Sequence, residues 1–210
     1  MPTVFTHAVV GYAAVHAAAG RRHPTARLLI VAALLPVVPD LDVFLRPWFR
    51  YGHALGHRGF SHSIAFALIL GMLAAVACRR DAGSVPGGRG GLGLFCGAIA
   101  ASHGVLDGLT SGGSGIPFFM PFSSARYFFP VRPIPASPIH VSAFLSDWGL
   151  EVLREELLLV WPFAGAAMAW SWDGGRLRPG AFLLAAAGVA AWVWRLGGFR
   201  AAALLGAALR

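Results

Sequence analysis

His103 and Asp107 stand four residues apart in a run, 91–110, that holds no other charged residue. Read as a helix, that spacing puts both side chains on one face, where an imidazole and a carboxylate can bind one divalent metal or flank two. A buried, hydrogen-bonded His–Asp pair is the competing arrangement. A second cluster, H-A-L-G-H-R-G-F-S-H-S over 53–63, packs three histidines and Arg58 into eleven residues directly ahead of an uncharged apolar run, 64–78. Polar side chains abutting lipid-like sequence need a cation, a partner or water. Here His57 and His62 offer imidazoles, Gly59 permits a tight bend, and Arg58 suits a substrate anion or pairing with an aspartate. In the P-D-L-D step at 39–42, Asp40 and Asp42 offer hard oxygen ligands on a turn, one of them expected to cap a helix end or anchor the loop. His7, near the start of the first apolar run, is a further candidate ligand. His16, His23 and His140 lack such partners and read as structural or solvated. Glu156, and behind it Glu151, suits a late metal ligand or general base, although a carboxylate favoured by a helix macrodipole explains both equally well.

The elements that must position these residues are apolar. With 57% hydrophobic and 12% charged residues and a mean hydropathy of +0.65, the 210-residue chain is too apolar for an ordinary soluble fold. It reads as a single all-α domain over 1–210, a multi-pass transmembrane bundle of about five to six spans. The runs are 4–20, 28–45, 61–78, 91–110, 150–172 and, shorter, 181–194. The first run has no basic segment before it, which argues for a part of the mature fold rather than a cleaved leader. Between the fourth and fifth runs, 111–147 is rich in Pro, Gly, Phe and Ser and reads as an irregular re-entrant or surface loop. The tail, 199–210, is too short to cross and reads as interfacial. Cys78 and Cys96 fall within or at the end of apolar runs and are expected as free buried thiols.

The net charge of +8 comes from arginines alone, scattered between apolar runs rather than gathered on one basic face, which excludes nucleic acid as the partner. Eight of them fall in three alternate loops: Arg21, Arg22 and Arg27; Arg79, Arg80 and Arg89; Arg176 and Arg178. The positive-inside rule makes those loops cytoplasmic and the chain start external. Because successive spans alternate in direction, His7, Asp40 and Asp42, His57 and His62, His103 and Asp107, and the glutamates all fall toward one membrane face. That shared face is the main functional signal, since ionisable residues at membrane depth mark functional sites.

The set His7, L-P-x-x-P-D-L-D, G-H-R-G-F-S-H-S, H-G-V-L-D-G-L-T and G-I-P-F-F-M-P-F-S resembles the bacterial membrane-bound metal-dependent hydrolases, the YdjM-like inner-membrane proteins, over about 5–135. In that family threonine commonly stands where this chain has Ser61. The resemblance implies a multi-pass helical protein of the inner membrane and a divalent-metal hydrolase, and it leaves the substrate open. The order His, Asp, His, H-x-x-x-D, Glu also resembles, more distantly, zinc-dependent phospholipases C, and so favours a phosphoester slightly.

These readings combine into a metal-activated water attacking an ester carried by a membrane lipid or lipid-linked molecule. The metal would be zinc, with manganese or magnesium as alternatives, held by His7, Asp40, Asp42, His57, His62, His103 and Asp107. Arg58 and Arg126 would hold substrate phosphate and Glu156 would serve as base, on the external (periplasmic) face. The 118–129 loop, with its phenylalanines, would be an interfacial lid over acyl chains. Two other classes fit the same residues, a metal-handling transporter and a scaffold stabilised by its metal. Transporter sites lie near the midplane, whereas these ligands cluster toward one face. A reporter tag inserted after Arg80 should prove cytoplasmic, and one between Gly112 and Ser114 external; finding both on one side would refute a shared face.

Overall fold

The computed structural model describes residues 1–20, 22–172 and 179–208. Its helices begin where the sequence supplies side-chain caps. Thr3, Thr25 and Ser63 precede α1 (Val4–Ala19), α2 (Ala26–Leu34) and α3 (Ile64–Ala77), and each hydroxyl accepts a backbone N–H three residues on. After α2 the chain tightens into a 3₁₀ segment, Val38–Leu45, and a short 3₁₀ turn, Phe60–His62, leads into α3. A further 3₁₀ turn, Arg79–Ser84, joins α3 to α4 (Gly88–Gly108). The single turn α5 (Val141–Phe144) is followed by α6 (Asp147–Leu159), α7 (Trp161–Trp172) and α8 (Pro179–Ala208). No strand occurs among the described residues, so the all-α expectation holds.

The centre of the fold is the antiparallel pair α3 and α4. A Cβ on Gly71 would sit 2.4 Å from the backbone nitrogen of Gly97 and 2.5 Å from the carbonyl oxygen of Gly93, so the two backbones touch there and only glycine fits. Around this contact Ala67, Ala74, Leu92, Cys96, Ile99 and Ala100 join Val15 of α1 and Leu28, Ala32 and Leu35 of the α2 region in one core. α1 also packs on α7, and α7 on α8. Both cysteines are free and buried, as expected.

The outward faces are apolar. On α3, Ile69, Met72, Leu73 and Val76 are 51–71% exposed, and α8 presents Phe182, Leu183, Val193 and Trp194. A water-soluble bundle would bury such residues; a bilayer solvates them.

The expected spans are revised in detail. The run 28–45 is not one straight helix, because Pro36 and Pro39 interrupt its hydrogen-bond ladder and Val38–Leu45 bends 45° away from α2. The run 150–172 divides at Val160 into α6 and α7. The sixth run belongs to the longer α8, whose backbone is helical through most of the expected interfacial tail; the tail's side chains and residues 209–210 lie outside the described residues, as do Arg21, Arg176 and Arg178. Among the described residues only Pro179–Gly198 is by itself long and apolar enough to cross a membrane, or two segments if the bent pair counts as one, against the five or six expected. α1 has 16 residues and α3 has 14. At 1.5 Å per residue these span about 24 and 21 Å, short of a hydrocarbon core of about 30 Å.

The loop 109–140 folds back over the end of α4 and the start of α3. Ser111 N–H donates to the Ile134 carbonyl (2.8 Å), Phe129 N–H to Gly108 (3.2 Å) and Ile64 N–H to Phe118 (3.0 Å). Of the segment expected to be irregular, 111–147, the part before α5 is so and is anchored on the bundle, while Val141–Phe144 forms a turn of helix and Asp147 begins α6.

Substituting Gly71 by leucine should therefore force α3 and α4 apart, with a cost of at least about 1–3 kcal/mol. Thermal unfolding in detergent should register a clear fall in midpoint, while Gly83→Ala, where a Cβ meets nothing within 4 Å, should leave it unchanged.

Candidate metal centre

One end of the four-helix core gathers the polar residues. His7 lies in the first turn of α1, Asp40 and Asp42 follow α2, His57, Arg58 and His62 precede α3, and His103 and Asp107 occupy the last turns of α4. All eight side chains are buried, His7, His103 and Asp107 completely.

Asp40 Oδ1 is 3.6 Å from His62 Nε2 and 3.5 Å from His103 Nε2. Asp107 Oδ2 faces the same two nitrogens at 3.7 and 3.9 Å. These separations are too long for hydrogen bonds. They are close to the edge of a tetrahedron of ligands around an ion with bonds of 2.0–2.1 Å, about 3.3 Å. His7 Nε2 approaches the other oxygen of Asp107, Oδ1, at 3.6 Å, and its ring stacks on that of His103. The donors fall into two adjoining trios, His7–His103–Asp107 and Asp40–His57–His62, each with its ligand atoms within 4.8 Å of one another.

The surroundings fix how these rings face. His103 Nδ1 lies 2.8 Å from the Pro36 carbonyl oxygen, which can only accept, so Nδ1 carries the proton and Nε2 of the neutral ring turns a bare lone pair to the centre. His62 Nδ1 sits 3.0 Å from Ser61 Oγ and 3.3 Å from Asp42 Oδ2, leaving its Nε2 likewise bare. Asp42 takes an outer position. It accepts from Ser61 Oγ (2.5 Å) and Arg58 N–H (3.2 Å) and contacts His57 Nδ1 at 2.6 Å. Of the P-D-L-D pair, both candidate ligands with one expected to cap or anchor, Asp42 contacts two histidines at their Nδ1 atoms and Asp40 faces the centre.

Whether these residues fit a cation can be judged from their unsatisfied atoms. His7 Nε2, His62 Nε2, His103 Nε2 and both oxygens of Asp40 and Asp107 are buried without a hydrogen-bond partner. So many orphaned groups at one point would each cost free energy, and a cation satisfies them together. Charge agrees. Three carboxylates, Asp40, Asp42 and Asp107, outnumber the cationic groups beside them, the Arg58 guanidinium and the Met1 α-amino group, so with neutral imidazoles the cluster is short of positive charge. Mixed imidazole and carboxylate donors suit a divalent cation.

Three further candidate residues, Arg58, Glu156 and Arg126, have protein partners in the structure. Of the two roles its sequence position leaves open, a substrate-anion clamp or an aspartate partner, the buried Arg58 guanidinium shows the aspartate contact. Nε lies 3.1 Å from Asp107 Oδ2, Nη1 donates to the Gly112 carbonyl (2.9 Å) and Nη2 to Thr110 Oγ1 (3.2 Å). Its backbone is left-handed, φ 59°, and a Cβ on Gly113 would overlap Nη1, so the loop closes against it only because that position is glycine. Glu156 lies apart from the histidines. Its Oε1 accepts from Thr3 N–H (2.7 Å) and its Oε2 from the hydroxyls of Thr3 (2.5 Å) and Thr6 (2.6 Å), which ties α6 to the start of α1. With both oxygens engaged it positions the helix that carries His7. Arg126 also differs from its expected role, donating to the carbonyls of Arg58, Gly115 and Gly52 and to Ser114. His53 and Phe49 stack outside the cluster. Sequence reasoning did not assign Ser61, Thr110 or the Pro36 carbonyl; only Ser61, beside His62, carried a local signal.

The family model of the YdjM inner membrane protein matches residues 1–175. The chain belongs to the YdjM inner membrane protein family. The inner membrane protein YbcI of Escherichia coli (strain K12) is 35% identical over 165 residues, 77% of this chain and 91% of that protein. No solved structure matches. Every candidate ligand of this YdjM-family member, with Arg58, Arg126 and Glu156, falls within the matched region, whereas α8 lies beyond it.

The geometry separates two roles for Glu156. Glu156→Gln should lower the thermal midpoint, because hydrogen bonds to a charged acceptor contribute about 1.5–3 kcal/mol each, and should leave the metal content of the folded protein unchanged. Loss of metal at undiminished stability would return Glu156 to the ligand set.

Proposed function

We propose that this protein is a membrane-embedded, divalent-metal-dependent hydrolase that cleaves an ester or phosphoester of a lipid or lipid-linked substrate. The observation that carries the reading is the convergence of unsatisfied imidazole nitrogens and carboxylate oxygens at ligand-edge spacing, in a cluster short of positive charge. Asp40, His62, His103 and Asp107 would form the principal ligand set, with His7 and His57 completing the two trios. When bound, such an ion polarises a carbonyl or phosphoryl oxygen and lowers the pKa of water toward about 7.

The chain's own residues supply the rest. Asp42 and Ser61 orient His62, Asp42 orients His57, and the Pro36 carbonyl orients His103, so the lone pairs point inward without a search over rotamers. Arg58 pairs with Asp107 and fixes its oxygen, while Arg126 holds the Arg58 carbonyl. Burial of all these groups excludes bulk water from the ligands.

The membrane setting we infer is multi-pass, with the helices too short to cross alone packed against longer neighbours. The arginine-rich connections after α1 and α3 lie at the ends of those helices remote from the ligands, which favours a cytoplasmic location for them and an external one for the cluster.

Metal analysis of the purified protein tests the reading, together with hydrolysis screens on lipid and phosphoester substrates. His103→Ala and Asp107→Ala should each lower bound metal and abolish hydrolysis, and the double variant should be little worse, since the two act as a unit. Metal retention should weaken as pH falls and the ligands protonate. A folded Asp107→Ala protein with its full metal complement would remove α4 from the site.

A further inference from the structure

We infer that the cleft between α3 and α4 at the ligand end binds a single apolar chain of a membrane lipid and admits it sideways from the bilayer. The inference rests on the hydrolase reading only for the bond presented at the inner end of that chain.

The cleft follows from how the two helices meet. Their backbones are in contact at Gly71 and Gly97, and toward the ligand end the facing positions are small: Ala67 on α3, Ala100, Ala101 and Gly104 on α4. Small side chains without backbone contact leave a gap of about 130 Å³. An apolar protein cavity of about 150 Å³ accepts a benzene ring, so this one takes a comparable length of hydrocarbon. Ile64, Val105 and Phe118 form its rim, and Phe118 is held in place by the hydrogen bond from Ile64 N–H to its carbonyl.

What distinguishes this cleft from the other hollows is its floor. His62 and His103 line it, both at least nine-tenths buried and both with a bare Nε2. The groove among α1, α4, α7 and α8 and the shallow one on α8 touch no histidine or carboxylate, and the hollow beside 38–45 reaches only Asp42, whose oxygens are already hydrogen-bonded. Apart from the two imidazoles and two serines the walls are hydrocarbon, and no arginine lines them, so a free anion has nothing to bind there. An alkyl or isoprenyl chain does.

The approach is lateral. Ile64 and Val105 on the rim and Leu68 beside it are 41–44% exposed and continue the apolar outer face of α3. α3 is only 14 residues long and ends at Arg79 and Arg80, which belong at the interface. About 21 Å of helix from that interface brings its His62 end to the depth of acyl chains rather than of headgroups. From the water side the same centre is roofed by Arg58 and the 109–140 loop.

The test uses the full-length, metal-loaded protein in vesicles of phosphatidylethanolamine and phosphatidylglycerol, doped with a phosphatidylglycerol whose acyl chain carries a diazirine near the ester. After irradiation, adducts mapped by mass spectrometry should concentrate on Ile64, Ala101, Val105 and Phe118 relative to Leu73 and Val76, which simply face the bilayer. Ala101→Phe, which fills the cleft, should remove the cleft adducts and keep those at Leu73 and Val76, with metal content unchanged; Ala101→Leu, a smaller intrusion, serves if the phenylalanine variant does not fold. Cleft adducts no stronger than those at Leu73, or undiminished in a folded Ala101 variant, would overturn the inference. Adducts in the cleft of a protein that hydrolyses nothing would uphold it while removing the hydrolase reading. Hydrolysis of a soluble phosphoester with no cleft adducts would do the reverse.

Discussion

The structure turns on two carboxylates, Asp40 and Asp107, buried with no hydrogen bond to any of their oxygens. Taking an ionised carboxylate out of water costs several kcal/mol, which an opposite charge must offset at close range. Arg58 supplies one such charge to Asp107, and three imidazole nitrogens surround the pair at distances that leave room for a cation between them. Everything else at this end of the bundle can be understood as holding that arrangement against the tendency of buried charges to drag in water or neutralise.

The holding is done in layers. Asp42 and Ser61 steer the histidines, a carbonyl released by the break after α2 steers His103, and the Glu156 clamp sets the height of α1 and with it His7. Arg126 then binds the carbonyl of Arg58, a residue in a left-handed conformation that side chains rarely adopt. A site so supported is rigid before any ion arrives, which favours a defined coordination geometry over an adaptable one.

This polar end also explains the short helices. The turns at 38–45 and 53–63 take the place of further helical turns after α2 and before α3, so both helices stop short of a full bilayer crossing. Membranes tolerate irregular backbone only where it is buried in protein or lines a cavity, and the 109–140 loop meets that condition by covering the turns.

Much of this was present in the sequence because its cause is local. The i, i+4 spacing of His103 and Asp107 fixes a shared helical face whatever the rest of the chain does, and alternation of apolar runs brings His7, P-D-L-D, the H-R-G-F-S-H segment and H-x-x-x-D to one end. Apolar composition likewise determined an all-α membrane protein. Tertiary structure alone decided which groups face inward. Asp40 and Asp42 are two residues apart on a turn, identical in chemistry, and only their distances to His62, His103 and His57 make one a candidate ligand and the other its support. Arg58 could meet a substrate or an aspartate until the fold brought Asp107 to its Nε, and Glu156 resembled a base until Thr3 and Thr6 filled both its oxygens. Hydrogen-bond partners more than a hundred residues apart, and a carbonyl exposed by a proline break, leave no pattern in sequence, because they depend on where helices lie in space rather than on what is written beside them.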